Sequence, residues 1–364
     1  MARDSASEAE PGAPSRPAGA PASVAAFRQR ELDRTLLFGR GALAEAGELL
    51  GDGYTLLSTP RAVAAAPDVA AAAPRTIEVP AGRVDAIAGD LLAAEVDLGP
   101  ADALLVALGG GRVVDVTKAL AAASTPPRVV AAIPTTASGA EMTARHRRAR
   151  GAPAETPFVR PAIVVNDPAL SASHAVPDLA ASSANALGHV LIALTSDRAT
   201  PFSSAVAREA AQRFARAWGG AGSLTDTDRD EIALGALLAG WAVDQSGLGF
   251  HHALAQTVVR EADVAHAVAN AALLPESVIA VHGRRPEPLD TLDAQLPIDF
   301  LQLTRLLRAQ AGGDGLALLA RDETLLQHVV AIAARRTADL AHVPPPLDET
   351  EIRRLYEAAA AASA

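Results

Sequence analysis

Short, unbroken apolar runs alternate with amphipathic stretches through the first half of the chain, and the two patterns predict different elements. Leu104–Leu108 is apolar at every position, which is the length and composition of a strand buried on both faces of a sheet. Tyr54–Ser58, Val129–Ile133 and Ala162–Val165 read as further strands, and Thr35–Gly41 reads as a short strand and turn. Between them the pattern predicts helices over Ala42–Leu50, around Val84–Ala94 and after Gly111, the last with Val113, Val114, Val116 and Leu120 available for burial. Strands alternating with helices imply an α/β domain with a parallel sheet. From about Pro177 the pattern changes to long Ala/Leu-rich helical periods, namely Ala180–Leu194, Ser203–Trp218, Asp228–Gly247, His251–Val259, Val264–Ala280, Phe300–Ala309, Glu323–Ala338 and Glu349–Ala361. The segment His282–Pro297 reads as a proline-broken connection among them. Residues 1–24, rich in Ala, Pro, Ser and Gly, read as a disordered tail. The expected organisation is therefore a tail (1–24), a nucleotide-type α/β domain (25–176) and an all-helical domain (177–364).

Composition narrows the class. Hydrophobic residues make up 49% and aromatics only 3%, so the cores must be built from Ala, Val and Leu, mostly in helices. A net charge of −10 argues against nucleic acid or an anionic membrane as the main partner. With no cysteine there is no disulfide, thiolate metal site or thiol nucleophile. No apolar run is long enough to span a bilayer and none follows the start as a secretory signal would, so the expectation is a cytoplasmic protein.

Candidate chemistry begins where the Leu104–Leu108 run stops at Gly109-Gly110-Gly111. Three glycines between a buried strand and a helix let bare N–H groups approach an anion at the positive end of a helix dipole. The alternative is a tight turn without a ligand. Lys118 is the only lysine among 32 basic residues and lies three positions after Asp115, either serving this site or forming an Asp–Lys pair on the helix surface. Pro134–Glu141 follows a strand with Thr135, Thr136 and Ser138, hydroxyls suited to phosphate or a nicotinamide amide. No acid for the ribose hydroxyls ends Tyr54–Ser58, so NAD and NADP stay open; Arg61 would face a 2′-phosphate or solvent. The basic run Arg145–Arg150 is a solvated hairpin tip or a carboxylate receptor. In the helical half, Asn185 and His189 share a face, and His252 and His266 are fourteen residues apart. One straight helix would separate the last two by about 21 Å, so they share a ligand only if the chain breaks near Arg260–Asp263. Three neutral imidazoles so gathered would form a metal site with an open position.

These residues fall into motifs that resemble the iron-containing alcohol dehydrogenases, and among them the maleylacetate reductases: GGGRVVDVTK at 109–118, PTTASGAEMT at 134–143, NDPALS at 166–171, SANALGHVLIAL at 183–194, GLGFHHALA at 247–255 and HAVANAALLP at 266–275. The resemblance implies the dehydroquinate synthase-like fold, with a hydride-transfer site between an α/β domain and a helical one. It assigns the cofactor, NAD or NADP, to Gly109, Gly110, Gly111, Asp115, Lys118, Thr135, Thr136 and Ser138. It places a divalent metal, iron or zinc, on His189, His252 and His266, with Asn185 where metal-dependent members carry aspartate. An amide is a weak neutral ligand, which counts against the metal, and the maleylacetate reductases resemble this chain in having asparagine there. The chain departs further from the family at Arg112, at Gln256 (usually histidine) and at Val259-Arg260 (usually two glycines). His252, His189 and His266 are the candidates to stabilise or protonate an enolate or alkoxide, with Gln256 as a hydrogen-bond donor. Expected from this are an NAD(P)-dependent reductase or dehydrogenase of a carboxylate-bearing keto or hydroxy compound, and by family a homodimer. Two rival readings are an oxidative decarboxylase of a β-hydroxy acid, such as a peptide's C-terminal threonine, and a non-catalytic nucleotide-binding relative.

Overall fold

The computed structural model describes residues 24–31, 33–220, 223–312 and 314–362. All but the last residue of the expected 1–24 tail lies outside the described residues. Among the described residues seven strands form one sheet: β1 (Phe27–Arg30), β2 (Thr35–Phe38), β3 (Thr55–Ser58), β4 (Arg75–Glu78), β5 (Leu105–Gly109), β6 (Val130–Pro134) and β7 (Ile163–Asn166). Their spatial order is β1-β2-β7-β6-β5-β3-β4, parallel throughout except that β1 runs antiparallel to β2. The strands are apolar on both faces because both faces are covered. Leu57, Leu105, Ala107, Val130 and Ala132 pack with the helices Val84–Ala93 and Gly111–Ala123 on one side. Leu56, Val106, Leu108, Ala131, Ile133 and Val165 pack on the other with Ala42, Ala46, Leu50 and Ala62. Neither β1 nor β4 is among the strands expected from the sequence. Both are edge strands of mixed polarity (FRQR and RTIE), with no apolar run to announce them.

The chain leaves β3 toward β4 on one side of the sheet and leaves β5 toward β6 on the other. Such a reversal opens a crevice at the carboxyl ends of the two adjacent strands, here β3 and β5. The glycine triplet sits at that point.

The second half is helical. Its central element is Val176–Thr195, buried at every position from Leu179 to Thr195, as a helix apolar all round must be. Around it lie Pro201–Trp218, Asp226–Ser246, Phe250–Glu261, His266–His282, Phe300–Ala311, Glu323–Ala334 and Glu349–Ala361. The segment expected to be a mere connection contains a helix, Pro286–Asp293, which buries Leu289 and Leu292. Its prolines fall in the first turn, where a missing N–H costs no helical hydrogen bond. The expected Glu323–Ala338 helix ends at Ala334 and is followed by the short turn of helix Thr337–Leu340.

The helical half docks on the sheet through Asp226–Ser246. Ala233, Leu234 and Leu237 pack on Leu36, Phe38, Met142 and Val164. Asp244 accepts from the Ala144 N–H at 2.7 Å and pairs with Arg160. At the closest approach a Cβ on Gly240 would lie 2.4 Å from the Gly139 carbonyl oxygen, and Gly139 itself has a φ of +72°. Alanine inside a helix ordinarily gains about 1 kcal/mol over glycine, but overpacking against backbone costs about 1–3 kcal/mol or more. Gly240→Ala is therefore expected to lower the thermal midpoint. A raised midpoint would show that the two halves are not held this closely.

Candidate active site

The crevice is lined first by the glycine triplet. Gly110 caps the helix Gly111–Ala123, and no side chain satisfies its first N–H groups. A Cβ on Gly110 would sit 2.8 Å from Thr136 Cγ2, and one on Gly111 2.8 Å from Ser138 Oγ. The bend is thus a backbone cradle pressed against the loop after β6, and Thr135 Oγ1 there is buried without a partner. Free N–H groups at a helix start, with an unsatisfied hydroxyl beside them, suit the pyrophosphate of NAD(P). The residues present fit that cofactor. Gly109, Gly110, Gly111, Thr135, Thr136 and Ser138 would hold it.

Lys118 and Asp115 do something else. The lysine is fully buried, and its ammonium lies 2.7 Å from Asp115 Oδ1 and donates to the carbonyls of Ala140 (3.0 Å), Arg145 (3.0 Å) and Thr143 (3.1 Å). It is therefore not a surface pair. It straps the loop after β6 to the first helix of the cradle, and an arginine's planar fork could not point three N–H groups at oxygens so arranged. Glu141 in the same loop is buried. Its Oε1 accepts from Asn166 Nδ2 at 3.4 Å, its Oε2 has no partner, and burial raises its pKa to about 7.

The histidines meet across this loop. Asn185 Nδ2 donates to the Ser138 carbonyl at 3.1 Å, tying the central helix to the cradle. One turn on, the His189 ring lies 4.7 Å from that of His252, 16° from parallel, and His251 meets His252 edge-on at 5.2 Å. Gly188 makes this possible, because a Cβ there would be 2.5 Å from His251 Cδ2 and 3.3 Å from His252 Cε1. His251 Nδ1 is 2.9 Å from Ser277 Oγ. The chain does break between His252 and His266: one helix ends at Glu261, the next begins at His266, and Asp263 between them has a φ of +53°. His266 is solvent-accessible although protein surrounds it, as befits a cleft-lining group, and Asn270 Nδ2 holds its Nε2 at 3.2 Å.

Asn185 Oδ1, His189 Nδ1 and both nitrogens of His252 are buried with no hydrogen-bond partner among the described residues. Each such atom costs about 1–3 kcal/mol, so four in one cluster mark a site kept for a ligand. Burial drives the pKa of His189 and of His251 down to about 3, and that of His252 well below its ordinary value. Neighbouring imidazoles, Lys118 and Arg336 push the same way, and no carboxylate opposes them at His189 or His252. The donor set counts against a divalent ion: its oxygen is an amide, a weak neutral ligand, and Lys118 at His189 and Arg336 at His252 are cations.

Gln256 Oε1 accepts from an Arg336 N–H at 3.1 Å, and a second N–H of that arginine reaches the Ala253 carbonyl. Of the basic run, Arg145 and Arg148 stack on Phe158, Arg150 pairs with Asp90, and Arg147 faces Asp85 at 3.8 Å through a terminal nitrogen that is buried and makes no hydrogen bond among the described residues. Its pKa is lowered by burial and by Arg260, Arg83 and Arg336 against the opposing pull of Asp85, and two of those arginines, Arg260 and Arg336, belong to the helical half. Sequence reading missed Gly188, His251, Asn270 and Arg336. The first three carried weak local signals: a glycine before His189, a histidine doublet, and an asparagine one turn after His266. Arg336 carried none, because it arrives from 80 residues away.

The titrations oppose each other. Histidines whose pKa is lowered on folding stabilise the fold fully above their usual 6.5, and that stabilisation is lost as pH falls toward about 3. Glu141, raised on folding, stabilises below its usual 4.5 and loses this as pH rises through about 7. The thermal midpoint should climb from about pH 4 to about pH 6.5 and level off above pH 7. A midpoint that falls across the acid range would contradict the buried neutral imidazoles.

Residues 179–358 match the C-terminal domain of the Fe-containing alcohol dehydrogenase family. Maleylacetate reductase 1 of Rhodococcus opacus is 30% identical over 274 residues, 73% of each chain. A 1,3-propanediol dehydrogenase of Citrobacter freundii is 30% identical over 280 residues, 65% of this chain and 71% of its own. A crystal structure of maleylacetate reductase from Agrobacterium tumefaciens superposes with a TM-score of 0.74 at 25% identity, covering 94% of this chain and 98% of that one. The chain belongs to the Fe-containing alcohol dehydrogenase family and is an oxidoreductase, NAD(P) dependence being typical of that family. These relatives lend no support to the decarboxylase or the non-catalytic reading.

Proposed function

We propose that this oxidoreductase moves a hydride between the nicotinamide of NAD(P) and a carbon of a carboxylate-bearing keto or hydroxy compound of the maleylacetate kind, without a metal. The supporting observation is the pair of buried imidazoles, His189 and His252, stacked at 4.7 Å with three ring nitrogens lacking a hydrogen bond among the described residues, and reached by the cations Lys118 and Arg336. Such a pocket attracts an anion and repels a dication. The bound cofactor supplies the hydride. His252, neutral at working pH, has one N–H to donate to the substrate oxygen on which charge develops and one lone pair to orient it. His189 stacks beside that ring, and Arg336, which donates to Gln256 one turn along the same helix, is a cation whose field reaches His252. Arg147, and Arg260 at the end of the same helix as His252, are the proposed receivers of the carboxylate. A homodimer and a cytoplasmic setting belong to the same proposal; among the described residues no helix is long and apolar enough to cross a membrane.

The test is reduced-cofactor oxidation with maleylacetate against 1,3-propanediol oxidation, each with and without a chelator. Turnover of the keto acid that survives chelation is expected. Activity on the neutral diol alone, or loss of all turnover on chelation, would overturn the proposal.

A further inference from the structure

The carboxyl end of β3 is where a dinucleotide fold usually presents an acid to the adenosine ribose, or an arginine to its 2′-phosphate. Here it reads Ser58-Thr59-Pro60-Arg61. Ser58 pairs in register with Leu108, one residue before the glycine triplet, so Arg61 stands beside the phosphate cradle. Ser58 Oγ donates to the Leu108 carbonyl at 2.8 Å, and Thr59 Oγ1 accepts from the Ala62 N–H, so both hydroxyls are engaged within the protein.

The guanidinium of Arg61 lies 2.9 Å from His174 Nε2. His174 belongs to the loop after β7, three strands from β3, about 14 Å at ordinary strand spacing. Arg61 and His174 therefore reach toward each other along the carboxyl edge of the sheet, where β5 and β6 end and a dinucleotide would lie. Arg229 comes to the same loop, donating to the carbonyls of Ser171 (2.7 Å) and His174 (3.3 Å). Among the described residues neither Arg61 nor Arg229 pairs with a carboxylate. Asp167 is close by, but its oxygens accept the N–H groups of Gly41, Leu43 and Ala169. Asp178 is the acid whose field reaches His174. His174 is itself more than nine-tenths buried, and its Nδ1 has no partner among the described residues. With Nε2 accepting from Arg61, that Nδ1 carries the proton, a buried donor with nothing to donate to.

We propose that Arg61, supported by Arg229 and the Nδ1–H of His174, receives the 2′-phosphate of the adenosine ribose, so that this chain uses NADPH in preference to NADH. The inference rests on the chain being a nicotinamide-dependent oxidoreductase. Burial, then Arg61 and Arg229, lower the His174 pKa to about 4, so the imidazole stays a neutral hydrogen-bonding group at neutral pH and the charge is supplied by the arginines.

Titration of the full chain with NADPH and with NADH, followed by nicotinamide fluorescence, tests this. Calorimetry with adenosine 2′,5′-bisphosphate against 5′-ADP supplies a readout independent of turnover. NADPH should bind about 10- to 100-fold more tightly than NADH. Arg61→Ala should erase that margin for NADPH and for the 2′,5′-bisphosphate alone, and Arg61→Lys should keep part of it. Because Arg61 is exposed, its variants should melt as the parent does. NADH binding as tightly as NADPH would overturn this inference and leave the oxidoreductase reading intact. So would an Arg61→Ala variant that weakens both dinucleotides equally, since Arg61 would then merely hold the His174 loop. Binding of neither dinucleotide would overturn both.

Discussion

His252→Ala lowers kcat by about 10²–10⁴-fold, the range for removing a positioned proton or hydrogen-bond partner, while the Kd for the reduced cofactor changes little. The split follows from position. The cofactor cradle is built from Gly110, Gly111 and the loop at Thr135–Ser138, whereas His252 lies across that loop with both ring nitrogens unpartnered. On the proposed reading its loss removes the donor to the substrate oxygen and leaves the cradle intact. Because the ring is buried and neutral, it works as a donor held in place and not as a proton store. The rate should accordingly show no ionisation of this residue near neutral pH, and His252→Gln, which keeps an N–H, should recover part of the loss. Stopped-flow reduction with a keto-acid substrate and equilibrium cofactor titration measure the two quantities. If kcat is unchanged, hydride transfer takes place elsewhere. If the cofactor Kd rises as much as kcat falls, His252 belongs to the cradle.

Lys118→Met is expected to destabilise the fold by about 3 kcal/mol or more and to abolish tight cofactor binding. The side chains are similar in length, so little volume is lost. The ammonium, however, is what satisfies the carbonyls of Ala140, Thr143 and Arg145 and faces Asp115. Each buried carbonyl left unpaired costs about 1–3 kcal/mol. Asp115 retains partial solvent contact, which holds its share below that of a fully buried broken pair. Lys118→Arg should be nearly as harmful as the methionine variant, because a fork cannot replace a point donor here. Chemical denaturation of the three proteins measures this. An arginine variant as stable as the parent would show that charge alone matters at this position.

The element types were largely legible because their causes are local. A strand buried on both faces has to be apolar throughout, and Leu105–Gly109, Val130–Pro134 and Ile163–Asn166 lie within a residue of where that rule puts them. Helices such as Pro201–Trp218 and Glu349–Ala361 show equally in their periodicity. Edge strands β1 and β4 were invisible because one side of each is left to solvent, so polar residues are tolerated. The helix Pro286–Asp293 was hidden by its own prolines, which signal a break in a helix interior but fit a first turn.

By itself the sequence determined the alternation of buried strands with helices, the glycine bend, the loop of hydroxyls after β6 and the imidazoles placed around a chain break, since each depends on neighbours a few residues away. Only the tertiary structure decided that Lys118 is a buried strap, that Arg147 faces Asp85 at 3.8 Å through a terminal nitrogen making no hydrogen bond among the described residues, that Gly188 clears space for two rings, and that Arg61 meets His174 across the sheet edge. Those outcomes depend on which distant backbone oxygens, rings and carboxylates come within a few ångströms, and residues 22 to 113 positions apart carry no record of that in their spacing.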